Sequence, residues 1–217
     1  MTDILQRTSD GSHTLFSFEA GETYHSHDGA IMEAEHVYLR QAFETFADKG
    51  CLNILETGFG AGLNALLTML ESHKRNITVY YETLEPHPVS EEIYQSLNYC
   101  EMMKCDRQLF LNLHVAAFDQ PLEMPPFTFI KRMVGIENFS TTRQFDVIYF
   151  DAFSPVAQPE IWTENIFRKL RQFLSDNGIL LTYSSKGSVK KALRAAGFNV
   201  RRLSGAGSKH HMLKAIR

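Results

Sequence analysis

The sequence predicts an α/β fold built on a mostly parallel sheet, and three observations carry that prediction. Short β-branched and aromatic runs alternate with segments of helical composition along most of the chain. The first core run, residues 51–56, leads straight into Thr57-Gly58-Phe59-Gly60-Ala61-Gly62 and then a helix-forming stretch. The last two runs are joined by too few residues for a parallel crossover, so one of them has to run antiparallel.

Residues 1–35 mix short apolar pieces with turn residues, Ser9-Asp10-Gly11-Ser12 and His27-Asp28-Gly29. Residues 33–46 read as an amphipathic helix carrying Val37, Leu39, Phe43 and Phe46. A single domain is expected over residues 1–217, with 1–48 as a lead-in and 49–217 as its core. Strand 51–56 and helix 63–72 flank the glycines. Residues 77–85 form a β-branched and aromatic second strand, closed by Pro86 and Pro88. A helix over 89–103 and a weakly marked third strand over 109–116 follow. Residues 145–151 are a continuously apolar, buried strand, then come helix 161–174, a turn at Asn177-Gly178 and strand 179–183. Helix 188–196 ends at Gly197, and strands 198–203 and 211–216 close the chain around Gly205-Ala206-Gly207. The stretch 122–142, with Pro121, Pro125, Pro126 and Met133, is poorly periodic and reads as a substrate-facing loop or a mobile cover. A mostly parallel, seven-stranded sheet with a C-terminal antiparallel strand pair is the architecture of the class I, Rossmann-like methyltransferases, an analogy of fold alone.

With 217 residues the chain can bury a full α/β core without metal or disulfide support. A composition of 44% hydrophobic and 22% charged residues excludes a wholly disordered chain. No apolar run approaches the ~20 residues of a bilayer span. The opening Met1-Thr2-Asp3-Ile4-Leu5-Gln6 lacks a basic segment followed by an apolar one, so the expected location is the cytoplasm. Cys51, Cys100 and Cys105 are odd in number and hold one C-x4-C pair with no second pair, which points to reduced structural thiols. His25/His27 and His210/His211 lack the helical spacing and carboxylate partners of a zinc site, so no metal is expected. Neither a G-x-S-x-G elbow nor a recognisable cysteine nucleophile is present.

The net charge of −3 hides an asymmetry. Nine of the 22 Lys and Arg fall from Lys186 onward, with no Asp or Glu among them. The first 185 residues keep 13 basic and 25 acidic side chains, giving −12 before Lys186 and +9 from it. This fits a polyanion-binding edge and equally a solvated basic face.

The chemistry centres on Glu56-x-Gly58-x-Gly60-x-Gly62. Alternate glycines after a strand let the backbone approach a ligand while the next helix aims free N–H groups at it. The spacing is neither the G-x-G-x-x-G of dinucleotide enzymes nor a phosphate loop with Lys-Ser/Thr. Adenosylmethionine, which has no phosphate, suits it. Glu85, 23 residues after Gly62 and at the end of the second strand, is placed to accept ribose hydroxyls, with Glu82 as its competitor. Asp119, after the weak third strand, stands where this enzyme class places an acid near the adenine, and equally where a turn aspartate would be exposed. Asp151-Ala152-Phe153-Ser154-Pro155 ends the fourth strand. Asp151 there can hold a substrate amine and take its proton, or cap the following turn, while Phe153 and Pro155 shape a dry slot. The transfer is an in-line displacement by a neutral amine at ~3 Å with water excluded.

Several segments together resemble one family, the MnmC-type methyltransferase domain, also found as the stand-alone MnmD type. They are Glu56-Thr57-Gly58-Phe59-Gly60-Ala61-Gly62-Leu63-Asn64, Asp151-Ala152-Phe153-Ser154-Pro155 with Pro159-Glu160-Ile161-Trp162-Thr163, Thr182-Tyr183-Ser184-Ser185-Lys186-Gly187, Ala195-Ala196-Gly197-Phe198, and Gly205-x-Gly207-x-Lys209. Tyr24-His25-Ser26-His27-Asp28-Gly29-Ala30, with Glu33 and His36-Val37-Tyr38-Leu39, is similar to that family's leading segment, which by the same resemblance helps hold the cofactor. The resemblance implies S-adenosylmethionine-dependent methylation of the 5-aminomethyl group of the wobble uridine in tRNA, giving 5-methylaminomethyl-2-thiouridine. It implies cofactor contacts from Tyr24, Glu56, Gly58, Gly60, Gly62, Asn64 and Glu85, joined by Asp119 and Asp151, and substrate contacts from Phe153, Pro155, Lys186 and Lys209, with Asp151 facing the amine. Lys209-His210-His211 stands where the family commonly has Lys-Arg-Glu. The flavin-dependent oxidase half of the fused enzyme is not in these residues, so that step is expected from another protein, and the chain is expected to be a monomer. The competing readings are a methyltransferase for a small amine or nucleotide, and a non-catalytic adenosine-ligand or RNA-binding module. An aminopropyltransferase is disfavoured because one substrate-side acid is visible where a pair is wanted.

Overall fold

The computed structural model describes residues 3–217. A small antiparallel sheet comes first: β1 (Ile4–Arg7), β2 (His13–Ser17) and β3 (Glu22–Thr23). Its strands are too short to show periodicity in the sequence. One helical run follows, through α1 (Ala30–Ala34), a π-helical turn over Glu35–Leu39 and α2 (Arg40–Thr45).

The core then alternates β4 (Cys51–Thr57), α3 (Leu63–Arg75), β5 (Thr78–Leu84), α4 (Glu91–Ser96), α5 (Tyr99–Met103), α6 (Arg107–Val115), β6 (Pro121–Met124), β7 (Phe127–Arg132), β8 (Phe145–Phe150), a 3-10 turn over Pro159–Ile161, α7 (Glu164–Phe173), β9 (Leu174–Thr182), α8 (Gly187–Ala195), β10 (Asn199–Ser204) and β11 (His211–Ile216). The main sheet runs β10-β11-β9-β8-β4-β5-β7-β6. Strands β7, β5, β4, β8 and β9 are parallel, β11 is antiparallel to both β9 and β10, and β6 is antiparallel to β7. Every residue of β8 is buried, as a central strand covered on both faces requires. Lead-in helices, α3 and α6 cover one face, α7 and α8 the other.

Four expectations are corrected. Residues 109–116 are helical. Asp106 caps α6 by accepting from the Gln108 N–H at 2.8 Å, and Phe110, Leu113 and His114 turn inward at helical spacing, overriding the strand-like alternation of Leu111, Leu113 and Val115. The third parallel strand is β7, inside the stretch 122–142 expected to be a loop or cover. Phe127 and Phe129 are fully buried there, and Pro121 starts the edge strand β6, where a missing N–H costs least. The main sheet therefore has eight strands where seven are expected. The helix expected over 89–103 also breaks, because the Asn98 side chain accepts from the His13 N–H at 2.9 Å and donates to the Gly11 carbonyl at 3.0 Å.

The lead-in is tied to the loop after β10. Asp28 Oδ2 accepts from the Ser208 N–H at 2.7 Å, Glu33 binds Lys209 Nζ, and His36 Nε2 lies 2.8 Å from the Ser204 carbonyl oxygen. Among the described residues no helix is long and apolar enough to cross a membrane, and no cluster of three or more His, Cys, Asp and Glu is placed to hold a metal ion.

Candidate cofactor cleft and substrate site

The carboxyl ends of β4, β5, β7 and β8 open into one cleft of about 260 Å³, outside the strand ends where open α/β sheets bind ligands. Backbone forms its floor. Gly58 has φ +90°, and a Cβ there would sit 2.6 Å from the Asp151 carbonyl oxygen; at Gly60, φ +50°, it would sit 3.0 Å from the Tyr24 ring. Only glycine meets both demands. Gly58→Ala is expected to cost ~1–3 kcal/mol of stability through the strained φ and to displace the Asp151 backbone, read as a lower unfolding midpoint together with weakened cofactor binding. Gly62 is the N-cap of α3 and supplies no side-chain cap, so the first N–H groups of the helix stay available at the cleft.

Glu85 is buried just beyond β5. Its Oε2 accepts from the Gly60 N–H and its Oε1 from the His87 N–H, both at 2.8 Å, and each oxygen keeps lone-pair capacity for a hydroxyl. Glu82 is no competitor: it pairs with Arg132 at 2.6 Å and does not line the cleft.

Asp151 follows β8. The Tyr38 hydroxyl donates to Oδ1 and Asn64 Nδ2 donates to Oδ2, each at 2.7 Å. Burial pushes its carboxyl above the usual aspartate range, opposed by the nearby His25 and by these two donors. Phe153 lines the cleft edge-on to Tyr24, ring centroids 5.0 Å apart, and its carbonyl accepts from Trp162 Nε1 at 2.8 Å. The Tyr24 hydroxyl donates to Asp3 at 2.8 Å, so its ring, not its oxygen, packs beneath the glycines.

The remaining expected site residues sit elsewhere. Asp119 is two-thirds exposed, pairs with Arg132 at 3.0 Å and is not in the cleft wall. The acid that follows the real third strand is Glu137, which lines the cleft with Gly135 and Ile136. Glu56 is fully buried behind the wall, with the Thr83 hydroxyl donating to Oε2 at 2.7 Å, and burial pushes it up to about 8. Pro155 and Lys186 flank the cleft without lining it, and Lys186 is exposed at the start of α8. Lys209 is spent on Glu33 and lies 4.6 Å over the Tyr183 ring. Sequence reasoning did not assign Glu137, Gln158 or Glu160 to the site, and it carried His25 and Tyr38 only within the leading segment that the resemblance brings to the cofactor. For Glu137 the signal existed, an acid just past Phe127–Arg132, but the strand assignment hid it.

The wall holds four carboxylates, Glu85, Glu137, Asp151 and Glu160, and no Lys or Arg. Phosphate would find no counter-charge here, whereas ribose hydroxyls and a positively charged group would be well matched.

A family model described as S-adenosyl-L-methionine-dependent methyltransferase matches residues 87–217. The chain belongs to that family. The solved structure of MnmC2 from Aquifex aeolicus superposes with a TM-score of 0.81 at 25% identity, covering 98% of this chain and 69% of that one. The tRNA 5-methylaminomethyl-2-thiouridine biosynthesis bifunctional protein MnmC of Azoarcus sp. (strain BH72) is 30% identical over 97% of this chain, and that of Burkholderia multivorans 29% over 92%. The chain spans about a third of the length of these curated relatives, 35% and 33%. CalS10, an amino pentose methyltransferase from Micromonospora echinaspora, shares the fold at 12% identity and a TM-score of 0.52, covering 92% of this chain and 93% of that one. The mostly parallel sheet with antiparallel strand pairs is thus a class I methyltransferase fold. S-adenosylmethionine, the cofactor of this family, fits the cleft: its ribose suits Glu85, its sulfonium an acid-rich wall, and its lack of phosphate a wall without Lys or Arg. Glu160 supplies the second acid an aminopropyltransferase would want, but membership of this family decides for methyl transfer.

Proposed function

We propose that the chain methylates the aminomethyl group on C5 of the wobble uridine of tRNA, converting 5-aminomethyl-2-thiouridine to 5-methylaminomethyl-2-thiouridine. The observation that carries the reading is Asp151, a carboxylate held by Tyr38 and Asn64 at the rim of an acid-lined cleft. The names of the MnmC relatives point to the tRNA. When bound, S-adenosylmethionine supplies an electrophilic methyl group on a positively charged sulfur. Gly58, Gly60, Asn64 and Glu85 would hold it, with Gly135, Ile136 and Glu137 completing the wall where Asp119 is expected, while Gly62 lies outside that wall and shapes the turn into α3. Asp151 orients the amine and accepts its proton, and its raised affinity for a proton favours that acceptance. Phe153, braced by Tyr24 and Trp162, keeps water from the line of attack.

The RNA backbone lies along α8 and β10 in this reading. Lys186, Lys191, Arg194, Arg201 and Arg202 are exposed there and have no ion-pair partner among the described residues, unlike Lys209. Arg201→Glu with Arg202→Glu is expected to weaken tRNA binding and to reduce the slope of log affinity against log salt by about 1 per lost contact, with cofactor affinity unchanged; a salt titration of tRNA binding measures it.

The deciding assay offers labelled S-adenosylmethionine with tRNA carrying 5-aminomethyluridine at the wobble position, and the same tRNA without that group. Label only on the first supports the reading. Label on neither, with the cofactor bound, turns the search to small amines.

A further inference from the structure

Behind the cleft lies a polar cluster that the reaction as described does not use. Glu56, near the end of β4, is fully buried; the Thr83 hydroxyl donates to its Oε2 at 2.7 Å, and Asn64 and Tyr81 lie alongside its carboxyl group. Its Oε1 is buried without a hydrogen-bond partner, as are Asn64 Oδ1 and the hydroxyls of Tyr81 and Tyr149. The groups facing Glu56 come from three elements: Thr83 and Tyr81 from β5, Asn64 from α3, and Tyr149 with Asp151 from β8 and its end. None is a cation. The one charged group among them is Asp151, of the same sign, and Asn64 stands between the two acids with its Nδ2 donating to Asp151.

A buried carboxylate without counter-charge beside a second carboxylate keeps its proton, because two like charges in a poorly solvated space cannot both be sustained. We propose that Glu56 and Asp151 form a two-acid site carrying one charge, in which Glu56 stays protonated and so leaves the negative charge on Asp151, where the amine is met. Glu56 is then a positioning residue acting through Asn64 and Asp151. It is not the anionic cofactor ligand that the glycine-loop resemblance implies. Its proton has a use: were Glu56 to ionise, the proton shared by the pair would sit on Asp151, which could then neither attract a cationic amine nor accept its proton. The burial that pushes Glu56 up to about 8 agrees with this state at neutral pH.

The inference rests on Asp151 meeting the amine, and its first test does not need the substrate. In protein labelled with 13C at glutamate carboxyls, the resonance that disappears in Glu56→Gln is expected at the protonated position from pH 5.5 to 7 and to move only as the pH approaches about 8. A resonance at the ionised position throughout that range overturns the proposal, whatever the substrate proves to be. The second test uses methyl transfer. Glu56→Gln, which mimics the neutral acid, is expected to keep cofactor affinity within about threefold of wild type, while Glu56→Ala loses more than about tenfold in rate. The wild-type rate divided by the Glu56→Gln rate, in which ionisation of the substrate amine cancels, should fall as the pH passes about 8. A tenfold loss of cofactor binding in Glu56→Gln, or a flat ratio, overturns it.

Discussion

Asp151→Asn is expected to lower the rate of methyl transfer by about 10²- to 10⁴-fold, the usual worth of a positioned acid or base. The substitution keeps the shape of the side chain but removes the negative charge and the proton acceptor. It also sets an amide N–H₂ against one of two donors, the Tyr38 hydroxyl or Asn64 Nδ2, each 2.7 Å from the native carboxylate. The glycine loop and Glu85 are untouched, so cofactor titration should show binding retained while labelled-methyl transfer collapses. A rate within tenfold of wild type would remove Asp151 as the proton acceptor. Thermal unfolding belongs in the same experiment, because a mismatched buried donor costs ~1–3 kcal/mol.

The second large effect is in stability against pH, and two buried groups push it in opposite directions. Glu56 holds its proton to about 8 in the fold against an ordinary 4.5. Its native form binds more proton than the unfolded chain between those values, so its stabilisation is complete below pH 4.5 and is lost as the pH rises through about 8. His114 is the converse. It is stacked on Tyr94 with centroids 4.4 Å apart, and burial, then Lys131 nearby, lowers it from 6.5 to about 3. Its contribution is present above pH 6.5 and is lost as the pH falls toward about 3. Each group can contribute a slope of at most ~1.4 kcal/mol per pH unit within its window. Asp151, also pushed up, adds a decline of its own with rising pH, so single variants are compared with wild type. Denaturant unfolding across pH should show Glu56→Gln gaining on wild type from pH 4.5 to about 8, and His114→Gln gaining on it as the pH falls below 6.5. Parallel curves would mean that neither proton is held as the burial requires.

Which features were legible in the sequence follows from how local their causes are. The glycine loop, Glu85 and Asp151 depend on a strand end and a turn, and chain-local chemistry marks all three. The third strand was lost because α6 carries an alternation that imitates a strand, and that single error put Asp119 where Glu137 is the acid that follows the strand and lines the cleft. Tyr38 and His25 reach the site only through packing of the lead-in across the sheet, which no local pattern encodes. Lys209 looked free in a basic stretch because its partner Glu33 lies 176 residues away. A separation of 132 residues likewise hid the small N-terminal sheet as part of the site, where Glu22 receives the Ser154 N–H.

The ties from Asp28, Glu33 and His36 to residues 204–209 have a consequence for synthesis. Tyr24, His25 and Tyr38 are made before the core strands, whereas the loop that steadies them is made only after β4, β5, β7 and β8. The parallel strands β4, β5, β7 and β8 can pair beforehand, and Tyr38 can reach Asp151, but the wall lacks its ties from Asp28, Glu33 and His36 until Ser204 to Lys209 have emerged. Completion of the cleft thereby waits on residues 204–209, and a nascent chain stalled before β10 would lack the ties that steady its wall.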